Sequence, residues 1–420
     1  MKTFNNAYYA FGLLFLLYMF DYIDRLIIVS LFPFLQQDWG LTDTQCGLLV
    51  SAVYWSILLF SFPVSILVDR WSRKKAIGLM AALWSLATLL CVFTRNFKQL
   101  FSARIAIGIG EAGYAPGGTA LISALFPLEK RARILGIWNA SIPLGSAIGI
   151  ALGGVIAERL GWRHAFGIVA IPGLILSLMF FKVKDYKTVE LVRISPHEPD
   201  EPPHKMTLLD IVNTFLGKKS LLLNNLAFAS NVFVTTALLS WLPTYFHRMH
   251  DLPMSKAGLK GGLVMFLAII GAPLGGYLSD RWMKHTSRAR MLLPATSSAV
   301  SAVILFIAFG YLRGDIQYLT LLCLGITIIM FVPAAVAVTQ DVVHPGLRAI
   351  SLSINIVMQH SLGSSLGPIF VGMISDRYGL ETALKALPVF CIIGAVLFFV
   401  GAFFYEADVR STAQVDVVIE

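Results

Sequence analysis

The chain has 420 residues, of which 57% are hydrophobic and 14% charged. An average soluble domain carries about 25% charged residues, so this composition excludes a soluble enzyme or a nucleic-acid-binding domain despite a formal net charge of +9. Basic loops facing anionic lipid account for that charge, and the scattered Cys46, Cys91, Cys323 and Cys391 show neither metal nor disulfide spacing.

Several apolar runs exceed the roughly 20 residues a helix needs to cross the hydrocarbon layer. Twelve spans are predicted, at 7–35, 45–68, 76–95, 99–126, 132–157, 163–182, 220–247, 256–279, 291–312, 316–340, 349–375 and 380–405. The fold class is an all-α polytopic membrane protein. The run after residues 1–6 is too long for a cleaved signal and reads as a retained first helix. In the first span, Asp21, Asp24 and Arg25 interrupt an apolar run. A charge at the bilayer centre costs at least roughly 2.5–3.5 kcal/mol, so it marks a functional site by default. The i,i+3 and i,i+4 spacings place the three on one helix face. The fourth span carries Arg104 and Glu111, seven residues apart on nearly one face. Asp24 and Glu111 lie about 16 and 18 Å from the outer ends of their spans at the α-helical rise.

After the sixth span, a polar stretch containing Ser195-Pro-His-Glu-Pro-Asp-Glu-Pro-Pro-His204 can neither insert nor build a core. It divides the chain into a first bundle (1–182), a cytoplasmic linker (183–219) and a second bundle with a short tail (220–420). Lys and Arg concentrate in the loops on the N-terminal side, which puts both termini in the cytoplasm. The second bundle has no counterpart of Glu111; the aligned position is near Ile328. It offers neutral groups instead: Asn225, Asn231, Thr235, Thr236, Asn355, Gln359 and the titratable His360.

The halves repeat. Asp280-Arg281-Trp282 follows Asp69-Arg70-Trp71 by 211 positions. Gly363, Gly367, Gly372, Asp376, Arg377 and Gly379 follow Gly145, Gly149, Gly154, Glu158, Arg159 and Gly161 by 218. A small residue four places before an acid-Arg pair ends spans two, five, eight and eleven, as inverted three-helix repeats nested in each half would produce. The tandem glycines 145, 149 and 153, with 363 and 367, are expected to bring the halves into close backbone contact as rocking surfaces. Pro143 and Pro368 are expected to bend their helices.

Ser65-Ile-Leu-Val-Asp69-Arg70-Trp-Ser-Arg73-Lys74 resembles the inner-loop signature of the major facilitator superfamily, with serines where two glycines are usual. Gly276-Tyr-Leu-Ser-Asp280-Arg281 is its second-half echo, and Arg104-Ile-Ala-Ile-Gly108-Ile-Gly110-Glu-Ala112 resembles the family's fourth-helix motif. Within the superfamily, Asp24-Arg25, Gly108-Ile-Gly-Glu111-Ala-Gly-Tyr114, Ile142-Pro-Leu-Gly-Ser146 and the run 366–376 are similar to the spinster-like group. The resemblance implies two pseudo-symmetric six-helix bundles and secondary transport by alternating access. It also implies an amphiphilic substrate, since animal members of the group move lysophospholipids and phosphorylated sphingoid bases. The Glu-Ala-Gly-Tyr-Ala-Pro116 run also resembles organic anion symporters, which keeps small organic anions as a second class.

If spans one and four both line the cavity, as in the family, Asp24, Arg25, Arg104 and Glu111 form one group of two acids and two bases. Asp24 and Glu111 then exchange protons while Arg25 and Arg104 alternate as counter-ions or hold an anionic headgroup; the competing reading is a static buried salt bridge. Asp21, Tyr22, Tyr54, Tyr114, Trp138, Asn139, Asn231, Gln359 and His360 are the candidate substrate contacts, the bland alternative being helix packing. Trp55 is a further candidate wall. Asp69, Arg70 and Arg73 sit at the inner mouth, where Asp69 against a helix N-terminus would latch an inner gate; Asp280 and Arg281 are their counterparts. The partners expected are substrate, protons and membrane lipids, for a monomer in the cell (inner) membrane. No cofactor, metal or nucleic acid is expected. Gly108-x-Gly110-x-x-Gly113 lies inside a lipid-length helix with no strand before it, so it is not a nucleotide site, and the sequence holds no P-loop. An enzyme would need a nucleophile–base pair or metal ligands near one membrane face, and the sequence offers no such cluster; a sensor on a transporter scaffold is the remaining alternative.

Overall fold

A computed structural model describes residues 2–70, 73–183, 215–344 and 347–412. Their helices fall into twelve successive spans. Span one comprises Lys2–Ile27, a 3-10 turn at Ile28–Ser30 and Phe32–Trp39; span two is Asp43–Arg70 and span three Arg73–Cys91. Span four is Phe97–Glu111 with Tyr114–Leu125, span five Leu128–Asn139 with Ser141–Leu160, and span six Trp162–Phe180. Spans seven to nine are Lys219–Met249, Met254–Phe266 with Ala268–Met283, and Ala289–Gly310. Span ten is Gly314–Thr327 with Val332–Asp341. Span eleven is Arg348–Met358, a π-helical turn at Gln359–Ser364 and Leu366–Tyr378; span twelve is Leu380–Lys385 with Leu387–Arg410. Most of the predicted linker, at 184–214, lies outside the described residues.

Proline explains most of the interruptions. Its ring removes the hydrogen bond to the carbonyl four residues back and clashes with that carbonyl. Pro33, Pro116, Pro143, Pro333 and Pro368 each stand two or three residues beyond the break in spans one, four, five, ten and eleven, so the carbonyl four residues back lies in the break or at its edge. Pro63, Pro172, Pro243 and Pro294 are accommodated inside continuous helices.

Among the described residues, nine stretches are long and apolar enough to cross a membrane by themselves. Spans one, four and eleven are not among them, and these three bring their polar side chains together at mid-depth.

The two halves repeat each other at their tandem glycines. A Cβ on Gly145 or Gly149 would stand 2.3 or 2.7 Å from the Met19 or Ile23 carbonyl oxygen of span one. A Cβ on Gly363 or Gly367 would stand 2.7 or 2.3 Å from the Ala229 or Phe233 carbonyl oxygen of span seven. Glycines 218 positions apart thus meet carbonyls 210 apart. This corrects the expectation for the tandem glycines: Gly145, Gly149 and Gly153 close span five onto span one, and Gly363 and Gly367 close span eleven onto span seven, each within its own half. The close approaches between halves use other glycines. Gly154 faces the Met254 carbonyl, Gly258 that of Ile150, Gly262 that of Ala147, Gly47 that of Pro368 and Gly372 that of Asp43.

Calling the face where span one begins the near side, these inter-half contacts lie toward the far side. There Asp376, at the end of span eleven, accepts hydrogen bonds from the amides of Asp43 (2.7 Å) and Thr44 (3.0 Å) at the start of span two. Glu158, at the end of span five, accepts one from the Ser255 amide (2.9 Å) at the start of span eight. Each acid caps the N-terminus of a helix in the opposite half, where the helix dipole favours a negative charge.

At the near side, spans seven and twelve cap one another. Asp408 Oδ2 accepts from the Ser220 amide (2.8 Å) and hydroxyl (2.6 Å). Lys218 Nζ donates to the Asp408 carbonyl (2.7 Å), Ser411 Oγ (2.9 Å) and Thr412 Oγ1 (2.9 Å). Loss of such a cap costs about 0.5–2 kcal/mol. Asp408→Ala is therefore expected to lower the thermal midpoint in detergent while substrate affinity stays at the wild-type value.

Candidate functional site

Arg25 is the centre of the site. Its side chain is 7% exposed, and one guanidinium nitrogen lies 2.9 Å from Asp21 Oδ2 and 2.7 Å from Glu111 Oε2. Asp21 is one helical turn before Arg25 on the same face, so the first pair is local. Glu111 arrives from span four, just before the break that Pro116 enforces. Aromatic faces flank the guanidinium: Tyr22 at 4.5 Å and Tyr54 at 5.6 Å from ring centroid to Arg25 Cζ. Cation–π contact of this kind is worth about 0.5–2 kcal/mol. Tyr54 then stacks on His360 of span eleven, with centroids 5.7 Å apart and planes inclined by 26°. The charged cluster of one half thus reaches the other half through the Tyr54 ring.

On the second half, His360 and Gln359 sit in the π-helical turn and are partly exposed. Gln359 Nε2 donates to Asn355 Oδ1, and Asn355 Nδ2 donates to Asn225 Oδ1 at 2.8 Å, a chain that ties spans eleven and seven together. His360 Nδ1 is buried and forms no hydrogen bond with the described residues.

The group differs from the expected four-membered one. Successive residues of an α-helix point about 100° apart. Asp24 and Arg25 therefore flank Asp21 on opposite sides, and Asp24 turns to span three. There it is fully buried beside Thr88, whose hydroxyl donates to the Trp84 carbonyl. Neither Asp24 oxygen accepts a hydrogen bond from the described residues. Arg104 is also fully buried, but it binds carbonyls rather than carboxylates: Leu49 (3.1 Å), Asp24 (3.1 Å) and Arg25 (2.8 Å). The 3-10 turn at Ile28–Ser30 interrupts the α-helical ladder after those two span-one residues, and Arg104 supplies donors to their carbonyls. The structure thus brings together Asp21, Arg25 and Glu111, with Asp24 and Arg104 behind them.

Several predicted contacts are placed elsewhere. Tyr114 and Trp138 are buried and both donate to the Leu14 carbonyl, at 2.8 and 3.3 Å. Trp138 stacks on Tyr18 with centroids 4.4 Å apart, so these rings pack the first half rather than wall a cavity. Asn231 is buried against Gly394 of span twelve, on the side of span seven away from the charged cluster. Asn139 is exposed and donates to the Leu135 carbonyl. Trp55 is partly buried. The side chains of Asp69, Arg70 and Arg73 lie outside the described residues. Asp280 is exposed and 3.9 Å from Arg290, within its own half, and Arg281 reaches the Tyr277 hydroxyl at 3.5 Å.

A second polar cluster closes the far side, and the sequence reading missed it. Arg248 of span seven donates to both Asp43 oxygens at 2.8 and 2.7 Å and to Gln36 Oε1 at 2.8 Å. Gln36 Nε2 and the Ser375 hydroxyl also donate to Asp43. Four spans from both halves meet on this one carboxylate. The available signal was a lone acid and a lone base at the far ends of spans two and seven, a pattern that a solvated helix end shares.

The model of the Major Facilitator Superfamily matches residues 14–368. The chain is 28% identical over 374 residues to the hexuronate transporter of Bacillus subtilis (strain 168), covering 87% of each chain. It is 28% identical over 431 residues to human protein spinster homolog 1, covering 95% of this chain and 81% of that one. Its backbone is similar to a crystal structure of a bacterial homologue of the human lysosomal transporter Spinster, described as inward-facing and unoccupied. The TM-score is 0.84 at 22% identity, covering 96% of this chain and 98% of the other. A D-xylose–proton symporter gives 0.72 at 15% identity, covering 93% and 96%. Twelve spans in two pseudo-symmetric bundles fit these likenesses. The chain belongs to the Major Facilitator Superfamily, as a spinster-like multi-pass membrane transporter rather than an enzyme.

Proposed function

We propose that the protein is a proton-coupled secondary transporter of an organic substrate carrying a negative charge, and that Arg25 is the group that substrate and carboxylates compete for. The observation that carries this reading is the placement of Arg25 between Asp21 and Glu111, with Tyr54 leading on to His360 in the other half. Among the described residues, the basic neighbours of Asp21, Asp24 and Glu111 are Arg25 and, behind it, Arg104, three acids against two bases. A buried carboxylate without a counter-charge is strongly unfavourable, so one proton brings the set to neutrality. A substrate anion arriving at Arg25 displaces a carboxylate and makes room for a second proton. Flux in one direction then draws on the proton gradient as the halves alternate between the far-closed arrangement and its opposite.

An amphiphile of the lysophospholipid or sphingoid type is the favoured substrate, its anionic head on Arg25 and its chain against Tyr22 and Tyr54. The second reading, a small organic anion, draws support from the Bacillus relative, a hexuronate transporter. The protein works as a single copy in the cell membrane with both termini in the cytoplasm, and the gating role of Asp69, Arg70 and Arg73 belongs to this proposal. Uptake into proteoliposomes under an imposed pH gradient tests it, with lysolipids compared against small organic anions. Glu111→Gln is expected to reduce gradient-driven uptake about tenfold or more, and Asp24→Asn to flatten its pH profile. Unchanged pH dependence in both variants rejects coupling through these acids.

A further inference from the structure

A groove of about 390 Å³ runs along the membrane-facing seam between spans five and eight, where the two halves meet. It exists because Gly262 brings span eight down onto the Ala147 carbonyl: a Cβ there would stand 2.8 Å from that oxygen. Ala147, Ala151 and Gly262 form a shallow floor, and Leu263 and Phe266, both well exposed, form a wall. The lining is apolar except at the far end, where Lys260 stands beside Tyr318 of span ten.

Lys260 begins deep and ends shallow. It is six residues after Met254, so its backbone lies about 9 Å along the helix from the far end. Its ammonium nevertheless lies 4.6 Å from the Tyr318 ring centroid and 4.0 Å from Asp315 Oδ1. Asp315 is in the first turn of span ten, and its side chain is 96% exposed. The lysine stem thus follows the groove while its head snorkels to headgroup level. What results is an apolar slot ending in a cation and an anion side by side, at the depth where phospholipid headgroups lie.

We propose that this groove binds a far-leaflet phospholipid with a zwitterionic, amine-bearing headgroup of the phosphatidylethanolamine class. One acyl chain lies in the slot, the phosphate meets the Lys260 ammonium, and the lipid's own ammonium donates to Asp315. The paired charges select this headgroup over its neighbours. A purely anionic head is repelled by Asp315, and a trimethylated amine has no N–H to donate. The bound lipid touches spans five and eight on both sides of the seam, so it favours the arrangement in which that seam is closed. The site is separate from the mid-span cluster around Arg25.

The test uses the delipidated full-length protein in detergent, supplied with phosphatidylethanolamine, phosphatidylcholine or phosphatidylglycerol of identical chains, and counts retained lipid by native mass spectrometry. Wild type is expected to retain phosphatidylethanolamine about fivefold over the other two, as one headgroup charge contact implies. Asp315→Asn is expected to bring phosphatidylethanolamine and phosphatidylcholine level. Lys260→Gln and the groove-filling Ala151→Phe are expected to lower retention of both. All three positions lie on the membrane-facing surface, and an unchanged thermal midpoint without lipid certifies each fold. Equal retention of the three lipids by wild type, a preference for phosphatidylglycerol, a phosphatidylethanolamine preference that survives Asp315→Asn, or undiminished retention by Ala151→Phe overturns the proposal.

Discussion

Arg25→Ala is expected to abolish transport and to lower stability more than any other single substitution in the first half. The alanine leaves Asp21 and Glu111 facing each other with no cation between them, both buried. Breaking a buried pair by removing one partner costs about 3–5 kcal/mol, because an uncompensated charge is left behind. Two carboxylates share this one guanidinium, so the cost belongs at the upper end of that range. Arg25→Lys separates the two roles of the residue. It keeps the charge but replaces a planar fork with a compact ammonium, which cannot lie against Tyr22 and contact two carboxylates in the same way. The thermal midpoint is expected to recover in large part while substrate affinity does not. Binding and melting measured on the same detergent preparations check this. Near wild-type uptake by Arg25→Ala would remove Arg25 from the centre of the site.

Arg248→Ala has the second largest expected effect, on the balance between conformations rather than on binding at mid-span. Arg248 holds Asp43 with two charge-assisted hydrogen bonds. Hydrogen bonds to charged groups contribute about 1.5–3 kcal/mol. The Arg248 side chain is 28% exposed, so solvent screening places the loss at about 2 kcal/mol. A shift of that size changes a two-state ratio roughly 30-fold. The far-closed arrangement is the one that loses, since Asp43 and Arg248 belong to opposite halves. Spin labels at the exposed far-side positions Lys98 and Lys256, in a background lacking the exposed Cys323, are expected to report a longer distance population in the variant. Asp43→Asn, which keeps the shape but weakens the pair, is expected to shift the populations less. An unaltered distance distribution in both variants would show that the glycine contacts and the Glu158 and Asp376 caps close the far side without this pair.

Much of the fold was legible because a bilayer restricts the choices so severely. Apolar runs of the right length marked the spans, and the offsets of 211 and 218 positions exposed the repeat. The cost of charge in hydrocarbon pointed to Asp21, Asp24 and Arg25. What the sequence left open was direction around each helix. Asp24 fits the same helix face as Arg25 within the tolerance of a spacing argument, yet the two diverge in space. Arg104 looked like a counter-ion because its real partners are main-chain carbonyls beside a 3-10 turn, and side-chain patterns do not register carbonyls. Asn231 sits on a polar stripe of span seven but faces span twelve, because Gly394 leaves room for it there. The tandem glycines announced close contact without saying which neighbour they approach.

The acids that join the halves grip main chain, and this has a consequence for how the protein can vary. Ser255 offers Glu158 its amide, and Asp43 and Thr44 offer theirs to Asp376, which accepts from the Thr44 hydroxyl as well. Nineteen of the twenty amino acids carry that amide, so among replacements at Ser255 proline alone deletes the donor. Drift at Ser255 is therefore nearly free as far as this amide goes, whereas Asp43 and Thr44 are also held by their side chains, Asp43 through Arg248 and Thr44 through its hydroxyl on Asp376. Pairwise covariation between aligned relatives would register the main-chain part of these joints at neither residue, even though it fastens one lobe to the other.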